Sequence, residues 1–281
     1  MKHIKLIAIV AATAMLAASC GQKKEAPKDE SPKYLVLYYS QTSNTKAVAE
    51  DIAGYLGADI EEILATQPYD GDFQATIDRC MQERKQGVKP EIQPLVADVS
   101  KYDVIFIGYP VWFGTYAPPV AALLDGVDLS GKKVVPFCTF GSGGLESSSK
   151  DLVAKQPNAE VLPGYGVRAA RLEAMPKEVK EFLKAGGFIE GEYTSLPDFS
   201  DMHDVSDDEA AIFNTAVDGY PMLNAEAKSV AVRTIPNGTE YLFVAIDKPR
   251  DAKADMPPAG ELQVYVTVVE GETPVFTKVV R

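Results

Sequence analysis

Six consecutive polar residues, Ser40, Gln41, Thr42, Ser43, Asn44 and Thr45, separate two strongly apolar stretches. They carry hydroxyls and carboxamides but no lysine or arginine, so any anion held here is held by neutral donors. Two chemistries fit such a set. Thr42 or Ser43 can cap a helix by taking up its first free amides, or the hydroxyls and those amides together can cage a phosphate.

The flanking elements decide what the six residues can reach. Residues 34–39 read YLVLYY, a short run of β-formers of the kind buried on both faces of a parallel sheet. After the loop, Val48, Ile52, Tyr55 and Leu56 recur at helical spacing. A strand therefore feeds a hydroxyl-rich turn into a helix N-terminus, where unpaired N–H groups and the positive end of the helix dipole attract an anion. Cap and phosphate cage both remain open at this point.

Strands and helices keep alternating downstream. Strands are expected over 59–64, 101–110, 132–139 and 161–167, and helices over 73–86, 118–124, 145–155 and 176–185, the last closed by Gly186 and Gly187. The alternation predicts a parallel sheet covered on both faces, with ligands beyond the carboxyl ends of its strands. Two more loops leave those ends. GYPVWFGT, residues 108–115, sets the single tryptophan of the chain, Trp112, beside Phe113, either as core or as an indole free to stack on a flat ring. TFGSGG, residues 139–144, has glycines that let a backbone approach a ligand closely. Arg168 and Arg171 follow the last strand, where they either meet an acidic substrate or form a solvated surface pair.

Composition narrows the function. The 281 residues are 46% hydrophobic and carry a net charge of −12, which argues against nucleic acid and anionic lipid as partners. Residues 1–19 read as a secretory signal, with Lys2, His3 and Lys5 ahead of an apolar run and Ala17, Ala18 and Ser19 before Cys20. Its removal takes away Lys2 and Lys5 and makes the charge more negative by two. Cys80 and Cys138 then remain, too few for a disulfide framework, and His203 is the one histidine left. Histidine-based triads and multi-histidine metal sites have no residues to work with. Any chemistry needs another source.

The three loops resemble those of flavodoxin-like proteins, in order and spacing, over residues 33–187. The first is similar to the Ser/Thr-x-Thr-Gly-x-Thr phosphate loop, with Ser43 in place of the usual glycine. The second and third are similar to the subfamily with Gly-Tyr-Pro-x-Trp-Trp and Pro-Phe-Cys-Thr signatures, with Phe113 at the second tryptophan and the glycines and serine of the third loop in a different order. The resemblance implies an α/β fold, a doubly wound five-stranded parallel sheet in the order 2-1-3-4-5, and non-covalent FMN. Ser40, Gln41, Thr42, Ser43, Asn44 and Thr45 would hold the phosphate. Pro110, Val111, Trp112, Phe113 and Gly114 would line one side of the ring, and Thr139, Phe140, Gly141 and Ser142 would approach its other edge. No side chain need act as catalytic acid or base, because the flavin carries the redox chemistry. The residues before Cys20 are also similar to a bacterial lipobox, which implies lipidation at Cys20 and residues 20–32 as a tether.

Residues 33–190 are thus expected to form the FMN domain and the Asp-rich residues 191–205 a linker. Residues 206–281 are expected to form a small α+β domain of one helix and about four antiparallel strands. Ser206 to Glu209 is a capping box, and Asn237-Gly238 and Glu270-Gly271 mark hairpins. This domain resembles a cystatin-type fold, with Thr234-Ile235-Pro236-Asn237-Gly238 at the Gln-Val-Val-Ala-Gly hairpin. It lacks that motif's glutamine and second valine, which favours a docking module over a protease inhibitor. The functional expectation is an FMN-binding lipoprotein of the cell envelope, an electron carrier or small oxidoreductase. It would serve a redox partner protein or small acceptor and touch the membrane only through its lipid. A surface binding lipoprotein that kept the scaffold and lost FMN is the alternative.

Overall fold

The computed structural model describes residues 31–69, 72–218, 220, 223–248 and 260–280. The expected signal, Cys20 and nearly all of the tether lie outside the described residues. By its contacts the chain divides into Met1–Ser31 and Pro32–Arg281, and the second unit holds every element below.

β1 (Tyr34–Tyr38) shows why its sequence is continuously apolar. Leu35 and Leu37 enter one buried cluster and Val36 and Tyr38 another, so successive side chains serve the cores on opposite faces of one sheet. α1 (Asn44–Leu56) and α5 (Met175–Ala185) cover one face through Val48, Ile52, Val179 and Leu183. Cys80 of α2 (Phe73–Gln86), Val120 and Leu123 of α3 (Pro118–Gly126) and Leu152 of α4 (Leu145–Lys155) join the core on the other face.

The parallel positions are β2 (Asp59–Glu62), β1, β3 (Val104–Trp112) and β5 (Lys133–Phe140), followed by an edge formed of β6 (Glu160–Val161) and β7 (Tyr165–Arg168). This is the order 2-1-3-4-5. Two local features differ from the sequence reading. The edge strand expected over 161–167 is broken, because Pro163 has no N–H to donate and Gly164 lies against the Pro136 carbonyl. The second loop begins as strand: β3 runs on to Trp112 and returns as β4 (Thr115–Tyr116) through a two-residue turn in which Phe113 and Gly114 have φ of 52° and 82°.

The C-terminal sheet has the order β12-β11-β10-β9-β8. Its long members are β9 (Ala225–Ile235), β10 (Gly238–Asp247), β11 (Glu261–Val269) and β12 (Val275–Val280). The short β8 (His203–Asp204) and the bond from Ser200 N–H to Val232 O bring part of the expected linker into this sheet. α6 (Asp207–Val217) starts in the expected capping box and packs Phe213 on Phe243. The β9–β10 turn falls one residue early, on Pro236 and Asn237. Proline presets the first turn position and Asn237 tolerates a φ of 66° at the second.

No described helix is long and apolar enough to cross a membrane, and no group of His, Cys, Asp or Glu among the described residues is placed to hold a metal ion.

Candidate functional site

β1, β3 and β5 are neighbours, so the three loops leave the same end of the sheet side by side. Pairing fixes their spacing. Tyr38 lies opposite Gly108 and Pro110 opposite Thr139. At their roots the Thr45 and Thr139 hydroxyls, both buried, share a hydrogen bond of 2.8 Å that ties the first loop to the third.

In the first loop the capping question resolves unexpectedly. Neither Thr42 nor Ser43 caps α1; Ser40 Oγ instead accepts the Lys46 N–H at 3.2 Å. The N–H groups of Thr42, Ser43, Asn44 and Thr45 then meet no acceptor among the described residues. Four amides at the positive end of a 13-residue helix, with the exposed side chains of Thr42 and Ser43 beside them, make an anion cradle without charged side chains. Ser43 sits at φ 65°, the left-handed conformation glycine adopts freely. Ser43→Gly is therefore expected to raise stability by about 0.5–1 kcal/mol, seen as a higher urea midpoint at unchanged slope. A lower midpoint would mean that the serine side chain supports the loop.

Gln41 points elsewhere. Its Oε1 accepts from Tyr39 OH at 2.6 Å and its Nε2 donates to the Tyr69 carbonyl, so the carboxamide braces two tyrosines. Those tyrosines carry Trp112, whose half-buried indole meets Tyr39 edge-on at 5.8 Å and Tyr69 at 5.3 Å. Burial pushes both phenols up, and in Tyr69 the hydrogen bond to Glu83 adds to it, so both rings stay neutral. Phe113, at the hairpin tip, is half exposed and has the Arg84 guanidinium 5.2 Å from its ring centre. Burial also lifts the Cys80 thiol to about 11 and the Cys138 thiol higher, which leaves neither as a nucleophile.

The third loop is held from outside. Arg168 Nε donates to Gly141 O at 2.9 Å and Arg171 pairs with Glu178 at 2.6 Å. Both sequence readings of this pair, substrate contact and solvated surface, give way to partly buried arginines occupied by protein. Tyr39, Tyr69 and Arg168 carry no local motif. Their roles arise from side-chain contacts made in the folded chain; Tyr39 sits just past β1 and Arg168 at the end of β7, whereas Tyr69, seven residues past β2, carried no sequence signal.

A family model described as flavodoxin matches residues 33–183. Among solved structures, a candidate flavoprotein from Bacteroides eggerthii DSM 20697 is 28% identical, with a TM-score of 0.49, over 55% of this chain and 97% of its own. A second, from Bacteroides uniformis ATCC 8492, is 25% identical with a TM-score of 0.48 over 54% of this chain and 99% of its own. A flavoprotein in complex with FMN from Lactobacillus acidophilus NCFM is 30% identical with a TM-score of 0.44 over 48% and 93%. No curated protein matches the chain.

Proposed function

This chain belongs to the flavodoxin family, and from that premise we propose that it binds FMN non-covalently and passes electrons at the cell envelope, as a carrier or a small oxidoreductase. The observation that carries the reading is the set of four acceptor-free amides, Thr42 to Thr45, at the start of α1. A flavin phosphate suits these neutral donors, which leave the net charge of the chain unchanged. Bound flavin supplies the redox chemistry, and the protein tunes it. Thr42, Ser43, Asn44 and the loop amides would grip the phosphate. Trp112, set by Tyr39 and Tyr69, offers an aromatic surface for the ring, and Thr139 to Ser142 bring backbone to it. The net charge of −12 disfavours additional negative charge on a reduced flavin and would keep its potential low.

The envelope location rests on the sequence of residues 1–20: a signal, lipid on Cys20, and a soluble body on a tether. A redox protein or a small acceptor would then meet the flavin outside the cytoplasm. The C-terminal domain, resembling a cystatin in outline, serves in this reading as a docking module.

Titrating residues 21–281 with FMN tests the proposal. One equivalent is expected to quench both the flavin fluorescence and the emission of Trp112, the only tryptophan, with a Kd at or below about 1 μM, equivalent to about 8 kcal/mol. No quenching up to about 100 μM, where the binding energy would fall below about 5.5 kcal/mol, would sink it.

A further inference from the structure

We propose that the C-terminal sheet is a working part of the flavin site: β12 and Arg168 hold the third loop by the carbonyls of Gly141 and Ser142 and so aim the Ser142 and Gly143 amides at the flavin ring. The proposal rests on the FMN reading above and concerns what orients the loop.

Three hydrogen bonds hold the third loop and the start of α4 from Arg168 and the C-terminal sheet, and a fourth ties Arg168 to that sheet. Val279 N–H donates to Ser142 O at 2.7 Å. Arg168 spans the junction, giving Nε to Gly141 O at 2.9 Å and Nη1 to Phe276 O at 2.6 Å, with its Cζ 4.2 Å from the Phe276 ring centre and 5.1 Å from that of Tyr220. Lys278 Nζ donates to Glu146 Oε1 at 2.6 Å in the first turn of α4. The fit is close between the ties as well: a Cβ on Gly143 would lie 2.1 Å from Val279 O. β12 is an edge strand, and its free edge is turned onto this loop.

The orientation of the amides follows from peptide geometry. The described chain has no cis peptide, and in a trans peptide the N–H points opposite to the C=O. The peptide whose carbonyl meets Arg168 carries the Ser142 N–H, and the peptide whose carbonyl meets Val279 carries the Gly143 N–H. The Gly143 amide therefore faces away from β12 and the Ser142 amide away from Arg168, and neither has an acceptor among the described residues. A free Gly-Ser-Gly-Gly segment would lose much backbone freedom on gripping a ligand, and a segment pinned from behind has already lost it. Donors fixed in this way favour the more negatively charged reduced ring over the oxidised one. Arg168 is a positioning residue here, acting through the loop.

The test compares residues 21–281 with the variants Gly143→Ala, Arg168→Lys and Lys278→Ala. Alanine at 143 forces the loop off Val279, while lysine at 168 keeps the charge but loses the fork that spans two carbonyls. We expect Gly143→Ala and Arg168→Lys to bind oxidised FMN about tenfold more weakly and reduced FMN about a further tenfold more weakly, which lowers the two-electron midpoint potential by about 30 mV. Lys278→Ala should move both in the same direction by less. Hydrogen exchange without FMN gives an independent reading, since the Val279 amide, which donates to Ser142 O, should be protected in the parent protein and released in Gly143→Ala. Freed exchange with unchanged FMN affinity and potential would overturn the proposal and leave the FMN reading standing. Failure of the parent protein to bind FMN would overturn both. If Gly143→Ala does not fold, Arg168→Lys and Lys278→Ala decide the matter by affinity and potential.

Discussion

Gly144→Ala is expected to lower the first thermal transition by about 10 °C, the shift corresponding to about 3–4 kcal/mol in a domain of this size. Two costs add. Gly144 has φ 121° and ψ 3°, a conformation that side-chain-bearing residues rarely adopt, which accounts for about 1–3 kcal/mol. A Cβ there would also lie 2.5 Å from Val111 Cγ1, and overpacking of that kind costs about 1–3 kcal/mol. The backbone cannot yield easily, because the Gly144 carbonyl accepts the Ser148 N–H at 3.0 Å and Oγ at 2.6 Å and so anchors the first turn of α4. Val111 belongs to the second loop, so the same clash should spread the second and third loops and weaken FMN binding along with the fold. Circular dichroism melting measures the first effect. Gly54→Ala is the opposite control, because Gly54 lies inside α1 with open space about its Cβ, and alanine there should stabilise by about 0.5–1 kcal/mol. Adding Val111→Ala to Gly144→Ala should relieve the clash and leave the dihedral cost. A melting point within a degree or two of the parent protein would refute the argument.

What could be read from sequence divides along the range of the interactions responsible. The run from Tyr34 to Tyr39, the Ser206–Glu209 capping box and the alternation of strand with helix are set by near neighbours and by the demand that both faces of a sheet be covered. They were legible. The first loop was legible as a place but not in detail. That Ser40 rather than Thr42 or Ser43 would take a helix amide, and that Gln41 would brace Tyr39 and Tyr69, depends on side-chain geometry after the turn has formed. Arg168 was the furthest from reach. Its partner Phe276 O is 108 positions away, on a strand that the domain layout assigned to a separate unit. Residues 200–204 looked like linker because acidic, proline-flanked sequence reads as solvated chain. β9 nevertheless offered an open edge, and two residues in extended form can pair with it.

Trp112→Ala should lower stability by about 2–4 kcal/mol, below the full range for a buried tryptophan because the indole is only half buried, and should weaken FMN binding at least tenfold. The two losses have a common origin. Tyr39 and Tyr69 pack edge-on against the indole, an arrangement worth about 0.5–1.5 kcal/mol for each ring pair beyond the buried area. Gln41 links those same tyrosines to the first loop. Removing the indole thus loosens the first loop through its neighbours as well as taking away a surface for the ring. Trp112→Phe separates these effects. A phenyl ring can still pack against both tyrosines and so retain most of the stability, while offering a smaller face to a flavin. The expected order of FMN affinity is parent, then phenylalanine, then alanine, with the phenylalanine variant close to the parent in urea midpoint. Flavin fluorescence quenching reports the affinities, since the variants have no tryptophan emission. If Trp112→Ala loses stability while binding FMN as tightly as the parent, the indole is packing alone and the ring must be held by the third loop. The Ser142 and Gly143 amides, and the C-terminal sheet behind them, would then dominate recognition of the isoalloxazine.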